Sequence, residues 1–376
     1  MKKPLGVLVA GVLSVAPATA MAQVALDVRS SALFESYKFD AGLPFSKVSE
    51  FTVPVGITIG LGRFGNFTIS SGYASVELIS SDPVQLADQT VSGMLDTETR
   101  LTVNVVPGRL VALFTGVLPT GIKTVQFEEL SILGAISSDV IGFSTSDIGT
   151  GGSVGGGFAG AFPMGNMAMG FGATYRHPLS YQPLVGQSDL LRPGPEVMVR
   201  GGLEGGIARR TYLRVAGIFA RRMKDKVNGG LQNGVGNRFI GYLSLEQGIG
   251  RSTVTVYGFD VFRADPQVEP TAAGAALLPR GNLIAFGGQI SLPIGRSVSF
   301  IPRGEFRRSN AAPDTVDTSL QRLGDSFRFG ADVRIRASRS FAFVLYGGGF
   351  TGTAYQSATR VGVTGFRAAV HLEVTR

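Results

Sequence analysis

The chain has no cysteine, no tryptophan and only two histidines among its 376 residues. Without cysteine there are neither disulfides nor thiolate metal sites. Without tryptophan, any aromatic girdle at a membrane surface has to be built from the 25 phenylalanines and nine tyrosines. His177 and His371 stand without a serine or acid in a recognisable arrangement around them. No catalytic residue, metal site or cofactor is therefore expected, and no enzymatic activity. Long apolar runs are missing too. Mean hydropathy is +0.22, yet beyond the N-terminal leader no stretch reaches the roughly 20 apolar residues of a spanning helix. A chain that is apolar on average without such a run carries its hydrophobicity in alternate residues.

What is present begins with an export signal. Lys2 and Lys3 supply a positive start, Leu5 to Val15 an apolar stretch, and Ala20-Met21-Ala22 a small-residue cleavage site. The expected layout is a signal peptide over 1–22 and one domain over 23–376. Fifty-three glycines are spread along the chain rather than gathered in a linker. The formal net charge is +8, and its placement says more than its size. Arg63, Arg109, Arg209, Arg251, Arg296 and Arg339 recur at short connections. Acids such as Asp82, Asp88, Asp96, Glu128, Glu129, Asp139, Asp314, Asp317 and Asp325 sit in or beside long ones. This is a solubilised rim at each end, without the basic, aromatic-interleaved face that nucleic acid requires.

Extended segments are expected near 24–38, 50–62, 65–79, 97–107, 109–118, 150–162, 166–177, 195–208, 210–222, 237–249, 251–264, 282–294, 296–309, 326–337, 339–352 and 358–376. Gly, Pro, Asn and Arg clusters of hairpin length join them at one end. Connections near 39–49, 80–96, 119–149, 178–194, 223–236, 265–281, 310–325 and 353–357 join them at the other. Strictly alternating short and long connections, and an even number of strands, describe an all-β fold: a closed antiparallel transmembrane β-barrel of about sixteen strands, with fourteen the alternative. Both chain ends then fall on the tight-turn side.

Energetics choose the face. In 326–337, Phe327, Phe329, Ala331, Val333 and Ile335 oppose Arg328, Asp332, Arg334 and Arg336. An arginine facing lipid at mid-bilayer costs roughly 2–4 kcal/mol, so the charged row points inward. By the same register the lumen is expected to be lined by Glu196, Arg200, Glu204, Arg214, Glu246, Arg303, Glu305, Arg307, Arg328, Asp332, Arg334, Arg367, His371 and Glu373. These charges either tune which solutes pass or brace the wall as ion pairs, and the arginine excess suggests a weak preference for anions. The strands Gly151 to Phe162 and Met167 to Tyr175 are rich in Gly, Ala, Met and Phe. Their glycines allow strand coiling, or the segment is an apolar path or lateral opening. Connection 119–149 is the longest and most apolar. The spacing of Leu130, Leu133 and Ile136 permits a short helix. With Phe127 and Phe143, these residues make the connection a candidate constriction or a lid.

Leu118-Pro119-Thr120-Gly121, the glycine-rich Gly149-Thr150-Gly151-Gly152-Ser153, Tyr175-Arg176 and Gly194-Pro195-Glu196 together resemble outer-membrane barrels of the phenol-degradation meta-pathway type, related in style to FadL-like transporters. The resemblance implies passive uptake of small, often hydrophobic compounds. It departs from FadL-like members in leaving no room for an N-terminal plug, and Arg376 stands where many such barrels end in an aromatic residue. No ligand-contacting residue carries over.

The expectation is thus a channel in the outer membrane of a Gram-negative-type bacterium. Its partners are membrane lipid, a small solute and, during insertion, the barrel-assembly machinery. A structural or adhesive barrel without transport, and an exported soluble β-protein, are the alternatives. No oligomeric state follows from the sequence.

Overall fold

Residues that alternate in polarity form strands only where a neighbour completes each backbone hydrogen bond, and in a membrane that condition closes the sheet. In a computed structural model the described residues are 25–82, 84, 86–145, 148–270, 280–312, 321–356 and 359–375. The expected leader lies outside them. The strands are β1 Leu26–Phe39, β2 Phe45–Gly60, β3 Gly65–Ser80, β4 Gln89–Met94, β5 Thr97–Val106, β6 Leu110–Leu118, β7 Ser153–Met164, β8 Met167–Pro178, β9 Leu191–Arg192 and β10 Glu196–Ala208. They continue as β11 Thr211–Arg222, β12 Lys226–Val227, β13 Gly230–Leu231, β14 Arg238–Ile249, β15 Ser252–Arg263, β16 Arg280–Ile294, β17 Val298–Ala312, β18 Gln321–Arg336, β19 Phe341–Gln356 and β20 Thr359–Thr375. One helix, α1 Leu130–Ile136, lies in the longest connection.

All but β9, β12 and β13 belong to one antiparallel sheet, which closes because β1 pairs with both β2 and β20. β4 and β5 pair in succession with β3 and form one stave interrupted at Leu95-Asp96. The result is a closed barrel of sixteen staves. β9, β12 and β13 make a small separate sheet in the loops. Leu26 pairs with Ile59, and Asp27 with Thr375, so both ends of the described chain lie on the tight-turn side.

Several connections are shorter than the sequence suggests. β2 starts at Phe45, β4 occupies Gln89–Met94 where a loop over 80–96 is expected, and β19 continues to Gln356. Polar residues in these stretches do not end a strand when adjacent staves still offer ladder partners. Val91 of β4 is one residue the pattern alone could not place: it turns inward and packs in the core of the mouth.

The faces follow the expected register. Phe51, Val55, Phe114, Phe158, Phe162, Leu243, Val256, Phe286, Phe329, Phe366 and Val370 are exposed on the outer wall. Tyr73, Tyr175, Phe239, Phe262 and Phe327 are exposed there as well. Phe219, Phe239 and Phe262 form a row across β11, β14 and β15, with ring centroids 5.0 and 6.3 Å apart. The buried core is elsewhere, inside the barrel near its long-loop end. There α1 brings Ile132 and Ile136 onto Val76, Leu78 and Val91, while Phe143 joins Tyr37, Val48, Phe350 and Val363. Burying each such side chain contributes roughly 1.5–3 kcal/mol, so the long connection is held in place by its own apolar residues.

Candidate functional site: a loop clamped across the lumen

Connection 119–152 leaves β6, folds into the barrel and returns to β7. One carboxylate pins both of its feet. Asp96 accepts from the Gly121 N–H at 2.9 Å through Oδ1, and from the Thr150 N–H at 2.7 Å and its hydroxyl at 2.9 Å through Oδ2. The feet touch so closely that a Cβ at Gly121 would lie 2.6 Å from the Ile148 carbonyl oxygen, and one at Gly149 would strike the Ile122 carbonyl. The two glycine-bearing motifs of the sequence are therefore the two ends of one loop.

Beyond α1 the backbone crosses the lumen and is caught by side chains from distant staves. Arg263 of β15 donates two hydrogen bonds to Asp139, at 2.7 and 3.0 Å. Ser326 donates to the Val140 carbonyl at 2.8 Å. The Gly142 carbonyl accepts from Arg328 at 2.8 Å and Arg367 at 3.2 Å. Gly142 has φ +57°, a conformation strained for other residues, and a Cβ there would displace the Arg307 guanidinium, so glycine is favoured at this crossing. Glu35 and Glu50, both fully buried, accept from the Ser144 and Thr145 N–H groups at 2.8 and 2.9 Å. Arg367 also binds Glu35 at 2.6 Å, and Tyr37 donates to the same carboxylate at 2.6 Å.

Below this clamp the wall formed by β15 to β20 carries a column of charge. Arg307 donates to Glu305 at 2.6 Å, and Glu305 also accepts from Tyr257 at 2.8 Å. Arg303 pairs with Asp332 at 3.0 Å and lies over the Tyr346 ring at 4.3 Å. Arg334 pairs with Glu373 at 2.6 Å. A cavity of about 350 Å³ is lined by Arg303, Arg307, Arg328, Arg367, Glu305 and His371.

The wall formed by β7, β8, β10 and β11 is bare by comparison. Gly155, Gly157, Ala159 and Ala161 alternate with outward Phe158 and Phe162; Ala168, Gly170 and Gly172 alternate with outward Met169 and Tyr175. The expected Met and Phe content of this lumen is corrected: those side chains lie on the outer face, where Phe162 stacks on Phe171 at 5.5 Å. The ladder from β6 through β11 is continuous apart from one register shift between Gly206 and Ala208 beside a tight turn, so the glycines of β7 and β8 leave no lateral gap. Charge on this wall comes chiefly from Arg200, which lies over Gly172, and from Glu204 and Arg214, paired at 2.7 Å. A cavity of about 320 Å³ runs along it.

Of the other expected lining residues, Glu196 faces Arg238 at 3.8 Å, and Glu246 lies opposite Tyr212 in the register. Phe143 sits edge-on to Tyr37 at 5.0 Å inside the barrel, and Leu133 packs against the core. Phe127 and Leu130, the other two candidates for a constriction or lid, remain exposed, and Leu130 borders a cavity of about 490 Å³ with Leu133, Arg176 and Arg222. Phe127 precedes the helix and Leu130 opens it. His177 lies on the outer wall at hydrogen-bond distance from Tyr175 (3.3 Å). Among the described residues there is no group of three His, Asp or Glu able to hold a metal ion.

The sequence reading missed Glu35, Tyr37, Glu50, Asp96, Asp139, Tyr257, Arg263 and Tyr346. Glu35 and Glu50 were detectable, since each sits next to an outward phenylalanine in an alternating strand and so had to face inward.

No family model and no curated protein matches this chain. Solved structures align with it at low similarity. OccAB3 of Acinetobacter baumannii is 8% identical, covering 95% of this chain and 100% of that one, with a TM-score of 0.48. OpdQ of Pseudomonas aeruginosa is 9% identical, covering 94% and 100%, with a TM-score of 0.47. The outer membrane protein OprD of Pseudomonas aeruginosa is 9% identical, covering 94% of each, with a TM-score of 0.45. Similarity at this level transfers neither substrate nor mechanism.

Proposed function

We propose that the chain is an outer-membrane channel for passive uptake of small solutes, with anions favoured over cations. The observation that carries this reading is the clamped loop. A barrel serving only as scaffold or adhesin has no need to thread a connection through its own lumen and hold it with buried carboxylates and arginines. A constriction flanked by cavities is what a selective passage requires.

The outer membrane as location is supported by the apolar outer belt and by the alternation of tight turns with long loops. The arginines around the cavity beneath the loop favour an anionic group. The Gly/Ala wall opposite suits an apolar body, which agrees with the hydrophobic solutes implied by the family resemblance. Membrane lipid is the permanent partner, and assembly machinery would be needed to close the β1–β20 seam during insertion. The lining residues named above are proposed to set selectivity.

The test is planar-bilayer recording of the folded barrel together with liposome swelling. Anion-preferring conductance and swelling in small organic anions are expected. Clear cation selectivity would overturn the anionic preference, and an inserted barrel that passes no solute would overturn the channel.

A further inference from the structure

Charge on the outside of a barrel is costly unless it meets headgroups, and one sector concentrates it. At the long-loop end of β17 to β20, Arg308, Arg322 and Arg360 all face outward. Asp325 pairs with Arg308 at 2.8 Å and also with Arg322, yet the two guanidinium side chains keep 48% and 45% of their surface exposed. Arg322 lies over the Tyr355 ring at 5.4 Å, and Arg360 is the direct ladder partner of Tyr355. Arg322, Asp325, Tyr355 and Arg360 border a hollow of about 390 Å³ on the outer wall, floored by Thr351, Gly352 and Thr353, with Arg308 joined to it through Asp325. One step lower in the register, Phe306 and Phe327 form its apolar edge.

We infer that this hollow is a binding site for the phosphate of a glycolipid in the outer leaflet. The inference rests on the outer-membrane placement proposed above, but not on channel activity. Three arginines against one aspartate leave two positive charges, matching the −1.5 to −2 of a phosphate monoester (about −2 at most). Arginine presents the planar donor pair that phosphate oxygens accept. Tyr355, Thr351 and Thr353 add hydroxyl donors. Arg308 and Asp325 stand two residues, about 7 Å, above Phe306 and Phe327, with Arg322 and Arg360 further toward the loop end, which places acyl chains on the phenylalanines while the phosphate meets the guanidiniums. Asp325 holds Arg308 and Arg322 in place before the lipid arrives, so less side-chain freedom is lost on binding.

The experiment is native mass spectrometry of the folded barrel, titrated with bisphosphorylated lipid A, with the same lipid after phosphatase treatment, and with inorganic phosphate. One lipid A is expected to bind at this site. Removal of its phosphates, or the double variant Arg322→Gln/Arg360→Gln, should weaken it about tenfold or more, as loss of a charge-assisted contact predicts. The Arg322→Lys/Arg360→Lys variant should retain part of the affinity and migrates as a folded control on unheated gels. Equal binding by the dephosphorylated lipid, or by the glutamine variant, would overturn the site. Inorganic phosphate binding as tightly as lipid A would overturn the lipid as its source. Ion conductance of the glutamine variant should match the parent, and failure of channel activity in both would leave this site standing while sinking the proposed function.

Discussion

The wall of β7, β8 and β10 and the wall of β17, β18 and β20 stand on different sides of the barrel and obey the same alternation, yet they face the lumen with opposite chemistry. On β7 and β8 the inward residues are mostly Gly and Ala, with Arg200 and Glu204 added by β10; on the other wall Arg, Glu and Asp recur between smaller inward residues. The crossing loop is hydrogen-bonded to the charged wall and to β1 and β2. Its pinned feet apart, no hydrogen bond among the described residues ties it to the inner Gly/Ala face. The charged wall therefore has two jobs, holding the constriction and offering arginines to solute, while the bare wall supplies room. Neither composition would do both.

The largest expected effect comes from undoing the clamp. Arg367→Ala would leave Glu35 buried without its cation, a change that costs about 3–5 kcal/mol when one partner of a buried pair is removed. The loop should detach locally while the barrel stays closed. Faster hydrogen exchange at the Ser144 and Thr145 amides, with noisier single-channel current, is expected. Unchanged protection at both amides would mean the loop is held by its apolar packing alone.

A smaller effect should follow from making the walls alike. Ala159 faces the lumen beside Gly172, over which Arg200 already lies. Ala159→Arg would add a further guanidinium to the bare side. Conductance should fall while anion preference rises, since volume is lost and positive charge gained. Bilayer recording at two salt concentrations checks both, because exposed-charge effects fade as the Debye length shortens. If conductance is unchanged, solute does not run along this wall.

The sequence made one of these walls much easier to read than the other. Arg328, Asp332, Arg334, Arg367 and Glu373 were placed inward by cost alone, because a lipid-facing charge is expensive away from the headgroups. Gly155 to Ala161 offered no such penalty, and the residues drawing attention there, Phe158, Phe162 and Met169, turned out to mark the lipid side. The strand count and the helix over Leu130–Ile136 followed from spacing. What the spacing could not supply was which staves a loop would touch after crossing open space. Asp139 meeting Arg263, or Asp96 holding both Gly121 and Thr150, depends on closure of the whole barrel. The same long-range dependence hid the outward arginine sector, whose members come from three different strands.

Neutralising one rung of the charged wall should shift selectivity with little loss of fold. Arg303 pairs with Asp332, whose side chain is only 12% exposed, and it lies over Tyr346. Arg303→Ala would leave a carboxylate facing the passage where a balanced pair had been. A unit charge at 4 Å in water-like surroundings is worth about 1 kcal/mol, or about fivefold in ion partition. The reversal potential in a salt gradient should move toward cations by that order. No movement would show that ions pass outside the reach of this rung.

The smallest effect belongs to the ion pair on the bare wall, and it is the sharpest check on the comparison. Arg214 and Glu204 meet at 2.7 Å, within 0.1 Å of the 2.6 Å contacts on the other side, but their side chains are 52% and 44% exposed. Distance alone would rank this pair beside Arg367 and Glu35; solvent reverses the order. An exposed pair contributes only about 0.2–1 kcal/mol because water screens both charges and side-chain freedom is lost in holding them. Arg214→Ala should leave the unfolding transition almost unmoved and shift ion selectivity less than Arg303→Ala. Glu204 then stands over Gly and Ala neighbours that neither need it nor repel it. A destabilisation comparable to that of Arg367→Ala would show that the bare wall is braced by charge after all, and the division between a clamping wall and a spacing wall would fall.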